Sequence, residues 1–308
     1  MLDTFVYGES TRKSPEADVP VLIEKEKRYV PGGAANVAAN IIGLGANCQL
    51  VSICGADHTA EFLFTELEKI SCSTSHLIQI KERKTTNKTR YFHNKDMLMR
   101  LDDEEINYLN DIEIELLFKT VKDLLNSANR PNGIIIQDYN KGVCHAELNK
   151  KIIGYANSLN IPVFVDPKLS HYDSFSGCQF FKPNLKELSY FLQSEMIDDN
   201  VKSLNEAISK LNKHIEADNY IITLGSKGAY FSNSAQNGLI STHPIEQADV
   251  CGAGDSFISA LALSVCMDIP LKKSIHFANI ISGIACTKLG VQAVSWEEIN
   301  QCPVSKTI

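Results

Sequence analysis

The stretch Asp249-Val-Cys-Gly-Ala-Gly-Asp-Ser-Phe257 is a glycine-rich turn that runs directly into an apolar helix. Gly252, Ala253 and Gly254 are small enough to bring backbone N–H groups close to an anion, and the helix adds the positive end of its dipole. Asp255 places a carboxylate inside this turn, where it is suited to accept a proton from a hydroxyl that attacks a phosphate. A helix start capped by Asp would use the same residue types, so the turn alone leaves both interpretations open.

Short apolar runs rich in β-branched residues alternate with helical patterns before this turn. The runs predict strands at 48–54, 134–136, 161–165 and 220–224, and the patterns between them predict helices at 34–43, 111–126 and 145–159. Two further helices are predicted between residue 252 and about residue 289. Strands that alternate with helices form a mostly parallel sheet covered on both faces, so we expect an α/β fold of three layers.

Two segments interrupt this rhythm. Residues 18–30 and 85–102 alternate apolar and polar residues, which is typical of strands with two unlike faces. We therefore expect a small antiparallel β lid, with strands within about 14–30 and 85–102. Exposed strand edges and an apolar face favour self-association, so we expect a homodimer formed through the lid. Without a repeat or a long linker, residues 1–308 are expected to form one domain.

Composition limits the classes of partner. A chain of 308 residues with 44% hydrophobic residues is typical of a globular protein, and its net charge of −7 argues against nucleic acid or an anionic membrane as a partner. The nine cysteines contain no C-x-x-C pair, which indicates reduced thiols. No run approaches the roughly 20 apolar residues of a membrane span, and the first residues show no signal-peptide pattern. We therefore expect a soluble, cytoplasmic protein.

Three other motifs carry glycine, amide or carboxylate groups. In Pro31-Gly-Gly-Ala-Ala-Asn36, Gly32 and Gly33 permit close approach of a ligand, and Asn36 can bind a hydroxyl, although a Gly-Gly pair alone indicates only a tight turn. In Lys182-Pro-Asn-Leu-Lys-Glu187, Asn184 and Glu187 suit water around Mg²⁺, but a reciprocal Asn-Glu helix cap is favoured from the sequence alone.

The third motif, Thr223-Leu-Gly-Ser-Lys-Gly228, ends a predicted strand at the sheet edge where ligands bind in α/β folds. It is not a Walker A loop, and the chain lacks the HRD and DFG motifs of protein kinases.

In this order, over nearly the whole chain, the motifs resemble those of the ribokinase-like (PfkB) family of sugar kinases. The resemblance implies an ATP- and Mg²⁺-dependent phosphotransferase built as a three-layer sandwich with a β lid. It implies that Asp255 is the catalytic base and that the amides of Gly252, Ala253 and Gly254 form an anion hole. It implies that Asn184 and Glu187 serve the phosphates and the metal, with Glu187 acting on Mg²⁺ through water. The nucleotide contacts that it implies are Thr223, Gly225, Gly228 and Asn279.

A narrower resemblance is to the D-glycero-β-D-manno-heptose 7-phosphate kinases. It is carried by the stretches Ser14–Val21, Pro31–Ala38, Met99–Asp102, Asp138–Gly142 and Asp166–Lys168. This resemblance implies phosphorylation of the heptose 7-phosphate at C1 in ADP-heptose synthesis for lipopolysaccharide. A kinase for another sugar, sugar phosphate or nucleoside is the alternative within the enzyme class, and a non-catalytic sugar- or nucleotide-binding protein is the alternative outside it.

A phosphorylated sugar needs cations in its pocket, and the lid strands supply Lys88, Arg90 and Arg100. Lys88 and Arg90 are two residues apart and should share a face of their strand. Arg is suited to bidentate contact with phosphate, although strand-borne cations are usually solvated. The substrate contacts expected from the resemblance are Asp3, Gly32, Gly33, Asn36, Lys88, Arg90, Arg100 and Lys168.

The chain departs from the family pattern at both ends. Family members begin with a complete apolar strand, whereas this chain starts at Met1-Leu-Asp3 and has only the tail of such a strand, so we expect a truncated first core strand. Bifunctional relatives continue into a nucleotidyltransferase domain, whereas this sequence ends at Ile308, so we expect the kinase alone.

Overall fold

The computed structural model describes residues 1–194, 197–242 and 249–302. The strands are β1 (Leu2–Lys13), β2 (Pro20–Pro31), β3 (Ser52–Gly55), β4 (Leu77–Ile80), β5 (Asn87–His93), β6 (Asp96–Asp103), β7 (Ile134–Gln137), β8 (Val163–Asp166), β9 (Cys178–Phe181), β10 (Ala217–Thr223), β11 (Ala229–Asn233) and β12 (Asn237–Ile240). The α-helices are α1 (Ala34–Gly43), α2 (His58–Lys69), α3 (Asp111–Leu125), α4 (Ala146–Ser158), α5 (Leu185–Phe191), α6 (Val201–Leu211), α7 (Ala253–Cys266), α8 (Leu271–Cys286) and α9 (Trp296–Gln301).

The main sheet has six strands in the order β12-β11-β10-β9-β8-β7. Strands β7 to β10 run parallel, whereas β11 and β12 are antiparallel additions at one edge. The predicted mostly parallel sheet is therefore confirmed. Strands β3 and β4 form a separate parallel pair.

Side chains of the main sheet alternate between two hydrophobic clusters, one on each face. Val163 and Val165 of β8 pack in the cluster beneath α3, α4 and α6, whereas Phe164 packs with α7 and α8 on the other face. In β10, Ile222 packs in the first of these clusters, and Ile221 packs in the second. Helices cover both faces of the sheet, so side chains that point to either face are buried and apolar. The strands are therefore continuous apolar runs in the sequence.

The lid is a four-stranded sheet in the order β2-β1-β5-β6. The predicted strands at 18–30 and 85–102 correspond to β2, β5 and β6, whereas β1 is a lid strand that the sequence analysis did not assign. The β1–β2 and β5–β6 pairs are antiparallel, and β1 and β5 are parallel, so the lid is a mixed sheet. Leu2, at the base of β1, is fully buried in a cluster with residues of α1 and α2, which anchors the lid to the body.

Two further expectations concern membrane-spanning helices and disulfide bonds. Among the described residues, no helix is both long enough and apolar enough to span a bilayer. The nine cysteines, all of which lie in the described part of the chain, form no disulfide with one another, as the scattered spacing predicts.

Candidate active site

The glycine-rich turn forms the N-terminus of α7. Gly252 is the residue before the helix and has φ +78, the left-handed conformation that favours glycine. A Cβ at this position would lie 3.1 Å from the side-chain nitrogen of Asn36, so the turn also needs the space. Within the part of the chain that is described, no side chain caps this helix, and Asp255 lies inside its first turn. The geometry therefore favours an anion cradle at Gly252, Ala253 and Gly254 over an Asp-capped start.

Asp255 is the buried carboxylate of this site, with 4% of its surface exposed. Its Oδ2 accepts a hydrogen bond of 2.7 Å from Asn36 Nδ2, and its Oδ1 accepts one of 2.7 Å from the Tyr139 hydroxyl. Burial raises the pKa of Asp255 from 3.8 to about 6, although the hydrogen bonds from Tyr139 and Asn36 oppose this effect. A carboxyl group with this pKa is ionised at neutral pH and is still a useful proton acceptor.

The Gly-Gly-Ala-Ala-Asn motif meets this carboxylate from the N-terminal part of the chain. Gly33 precedes α1, and Asn36 lies buried in the first turn of that helix. A Cβ at Gly32 would lie 2.3 Å from Oδ2 of Asp3, so only glycine allows Asp3 to occupy its place. The structure therefore brings together Asp3, Gly32, Gly33 and Asn36, as expected of a binding site for hydroxyl groups.

The cations of the lid lie on one face but are paired with carboxylates. Arg90 Nη1 donates to Asp3 Oδ1 at 2.6 Å, and its guanidinium lies 5.2 Å from the ring centre of Phe5. Lys88 Nζ is 2.9 Å from Asp102 Oδ2. Both cations are largely buried, so they are not solvated edge charges. Arg100 also pairs with Asp102, but half of its side chain is exposed, as expected of a solvated strand residue.

The Asn-Leu-Lys-Glu motif forms a reciprocal helix cap. The Glu187 N–H donates to Asn184 Oδ1, and the Asn184 N–H donates to Glu187 Oε2, both at 2.9 Å. The other carboxylate oxygen of Glu187 accepts a hydrogen bond of 2.8 Å from Lys168 Nζ. Burial would lower the pKa of Lys168, but its contacts with Glu187 outweigh that effect, and the pKa is raised. The cap that the sequence favours is therefore present, and Lys168 extends it.

Two contributors to the site were not assigned from the sequence. Lys182 forms a buried ion pair of 2.8 Å with Asp166, and both groups lie 3.8 Å from where a Cβ of Gly254 would be. A lysine directly after the apolar run Phe180-Phe181 was the available signal, since a buried lysine needs a partner. Tyr139, the partner of Asp255, lies two residues after the end of β7, but the sequence contains no sign of its distant partner.

The predicted nucleotide contacts lie along β10 to β12 and α8. Thr223 at the end of β10 forms a bridge with Asn184, so the second and third motifs are neighbours. Gly225 has open space at its Cβ position, whereas a Cβ at Gly228 would lie 2.1 Å from the carbonyl oxygen of Ile240. Asn279 donates to that same Ile240 oxygen at 2.9 Å. Gly228 and Asn279 therefore have structural contacts that account for them without a nucleotide.

Residues 2–299 match the family model described as pfkB family carbohydrate kinase. The bifunctional protein HldE of Aliarcobacter butzleri is 34% identical over 302 residues, which cover 98% of this chain and 62% of that protein. HldE of Helicobacter pylori is 33% identical over 297 residues, with 96% and 63% covered. The chain thus spans about three fifths of the length of these curated relatives.

Solved structures support the same fold. Phosphofructokinase-2 from Escherichia coli in complex with potassium superposes with a TM-score of 0.78 at 21% identity, covering 97% of this chain and 94% of that one. Ribokinase from Arabidopsis thaliana, complexed with ribose and ATP, gives a TM-score of 0.75 at 16% identity, with 97% and 95% covered. At these identities the likeness concerns the fold, a ribokinase-like α/β architecture.

Proposed function

Because the chain belongs to the PfkB family of carbohydrate kinases, we propose that this sugar kinase acts on D-glycero-β-D-manno-heptose 7-phosphate. It transfers the γ-phosphate of ATP to the C1 hydroxyl and yields the 1,7-bisphosphate. The observation that carries the proposed reaction is the position of Asp255, a buried carboxylate inside a helix N-terminus. The heptose specificity is supported by the motif resemblance described above and by the HldE relatives.

Asp255 accepts the proton of the sugar hydroxyl as the bond from that oxygen to the γ-phosphorus forms. The bond between the γ-phosphorus and its bridging oxygen breaks, and ADP leaves with the electron pair. Asn36 and Tyr139 fix the two carboxylate oxygens, which leaves the remaining lone pairs of Asp255 for the substrate. The amides at Gly252 to Gly254 stabilise charge on the transferred group, where most of the catalytic effect of such sites arises.

Kinases of this family use ATP with a divalent metal ion. The described residues contain no cluster of three or more His, Cys, Asp or Glu side chains that would cage a metal. Mg²⁺ needs no such cage, because it is usually held by one or two carboxylates, by phosphates and by water. Both oxygens of Glu187 already accept hydrogen bonds, from Lys168 and Asn184, so this residue fits an outer position reached through water. When bound, Mg²⁺ would neutralise part of the negative charge of the phosphates.

The lid provides the support for a phosphorylated substrate. Asp3 and Lys88 are register partners on neighbouring strands, and so are Arg90 and Arg100, which places their side chains on one face of the sheet. Lys88 pairs with the carboxylate of Asp102, and Arg90 pairs with that of Asp3. A phosphate of the substrate would take over part of that pairing, with Arg90 as the bidentate partner because it is the buried arginine of the group.

The test compares Arg90→Ala with Arg12→Ala, an exposed lid arginine that serves as the matched control. We expect Arg90→Ala to raise KM for the heptose 7-phosphate by about 100-fold, as loss of a charge-assisted contact worth about 3 kcal/mol implies. ATP affinity should change little, and the control should behave as the parent chain. ADP release is measured with the heptose 7-phosphate, the unphosphorylated heptose and a panel of other sugars.

An equal loss with phosphorylated and unphosphorylated heptose would assign Arg90 to holding Asp3, and it would contradict the phosphate role. Faster ADP release with another sugar, sugar phosphate or nucleoside would replace the heptose assignment. Absence of ADP release with every acceptor would favour a binding protein.

We also propose that two chains associate through the lid. Met99 and Leu101 on β6, the outer strand of the sheet, are each about half exposed, and their register partners Tyr91 and Thr89 place them on the same face. An exposed row of apolar side chains on an edge strand is a typical site of pairing between chains.

A further inference from the structure

The carboxylate of Glu104 is held by two lysines, one from the lid and one from the body. Its Oε1 accepts a hydrogen bond of 2.7 Å from Lys141 Nζ, and its Oε2 accepts one of 3.2 Å from Lys88 Nζ. Lys88 lies on β5, whereas Lys141 lies in the loop between β7 and α4. Glu104 directly follows β6, where the lid strands return to the body. This one carboxylate therefore joins the lid to the body.

Both lysines are carried by backbone that borders the proposed sugar site. Lys88 is the register partner of Asp3 on the neighbouring lid strand. Lys141 lies two residues after Tyr139, whose hydroxyl donates to Asp255. The ion pairs of Glu104 therefore lie at the edge of the site in which Asp3 and Asp255 would hold the substrate.

The two ammonium groups form a site for an anion. Lys88 and Lys141 are largely buried, with 13% and 22% of their side chains exposed. Burial alone would raise the pKa of Glu104, but the hydrogen bonds from Lys141 and Lys88 outweigh that effect, and the pKa is lowered. A phosphate group carries more charge and more acceptor oxygens than a carboxylate, so it suits two separate ammonium groups better.

We propose that Lys88 and Lys141 bind the phosphate group of the sugar phosphate, and that Glu104 fills this position when no substrate is bound. The assignment rests on the proposed function, and it adds a phosphate contact from the body, Lys141, and an internal competitor, Glu104. Substrate binding requires the Glu104 side chain to turn toward solvent, which lowers the apparent affinity by the fraction of chains whose site is open. The phosphate then joins lid and body in place of Glu104. Lys88 keeps a second carboxylate, that of Asp102 at 2.9 Å, throughout.

The test compares Glu104→Gln with Asp103→Asn in the full chain. Asp103 is the matched control, because it is the adjacent acidic residue and forms a mostly exposed ion pair with Lys84. We expect Glu104→Gln to lower the dissociation constant of the heptose 7-phosphate by about 10-fold, the factor for a site that Glu104 fills in about nine chains of ten. Titration calorimetry without ATP measures this constant. Unphosphorylated heptose should bind both variants as it binds the parent chain.

Lys141→Met, added to the Glu104→Gln chain, identifies the source of the gain. It removes one of the two ammonium groups, so the added affinity for the heptose 7-phosphate should disappear. Thermal unfolding of each variant shows that the chains compared are folded. Weaker binding of both heptoses by folded Glu104→Gln would mean that Glu104 only holds the lid in place, and it would overturn the proposal.

Inorganic phosphate is a probe that does not depend on the identity of the sugar. Its dissociation constant should also fall in Glu104→Gln, and an unchanged or higher value would overturn the proposal. Equal binding of the heptose 7-phosphate by the parent and Glu104→Gln chains would overturn it too, because the lysines would then bind free phosphate rather than the substrate. If the heptose 7-phosphate binds neither chain, the proposed function fails, and the result with inorganic phosphate alone decides whether Glu104 covers an anion site.

Discussion

Replacing Asp255 by Asn should abolish proton acceptance while leaving the shape of the site intact. The amide is nearly isosteric with the carboxyl group, and its oxygen can still accept the hydrogen bond from Asn36. The Tyr139 hydroxyl, which donates to Asp255, can rotate and accept from the new amide, because a hydroxyl is both donor and acceptor. The variant should therefore fold and bind ATP, while turnover falls by about 10²- to 10⁴-fold.

The same substitution should stabilise the protein at alkaline pH. Burial raises the pKa of Asp255 from 3.8 to about 6, so holding the ionised carboxylate in the folded state costs about 3 kcal/mol above pH 6. This shift already includes the opposing effect of the hydrogen bonds from Tyr139 and Asn36. The expected gain in the free energy of unfolding at pH 8 is therefore about 3 kcal/mol, or an unfolding midpoint higher by about 5 °C.

The sign of the pH dependence follows from proton uptake. Between pH 4 and 6 the folded parent chain binds a proton that the unfolded chain does not, so its stability rises as the pH falls through 6. The advantage of Asp255→Asn should therefore vanish over that range. The assay is thermal unfolding of both chains from pH 4 to 8, together with coupled measurement of ADP release at pH 8.

Asp138→Asn is the matched control, because Asp138 is also a buried carboxyl whose pKa is raised by burial. We expect it to alter stability with pH but to retain turnover. Turnover by Asp255→Asn within a few-fold of the parent chain would refute the role of Asp255 as base. A stability gain that does not change between pH 4 and 8 would refute the account of its raised pKa.

Two further predictions concern the site and the lid. Tyr139→Phe removes a hydrogen bond that stabilises the Asp255 carboxylate, so it should raise the pKa of Asp255 and move the acid limb of the pH profile of kcat/KM upward by about one pH unit. Tyr155→Phe is the control, and an acid limb that does not move in Tyr139→Phe would contradict the effect of Tyr139 on the pKa of Asp255. Met99→Asp on the lid should convert dimers to monomers, as measured by analytical ultracentrifugation, because it places a charge on the exposed apolar surface of β6. Ile112→Asp, at an exposed position of α3, is the control and should leave the dimer intact. A parent chain that is itself monomeric would exclude the lid dimer.

Local sequence patterns were sufficient to predict most of the fold. Helix α1 has the predicted bounds at 34–43, and the apolar runs at 134–136 and 161–165 correspond closely to β7 and β8. These predictions succeed because strand and helix periodicities reflect burial on both faces of one sheet. Strand β1 was missed although its hairpin partner β2 follows it closely, because its first five residues are all buried and show no alternation of apolar and polar residues.

The groups proposed to react lie next to one another in the chain. The glycines of the turn, the carboxylate of Asp255 and the start of α7 are adjacent in the chain, so their chemistry depends on local backbone geometry. The Asn184–Glu187 cap is local for the same reason, since its partners are three residues apart.

The side chains that contact those groups come from distant parts of the chain, so they become apparent only in the folded protein. Asn36 reaches Asp255 across 219 positions of sequence, and Tyr139 reaches it across 116. Asp255 is buried where the first turn of α7 meets Asn36 of α1 and Tyr139, and that burial raises its pKa.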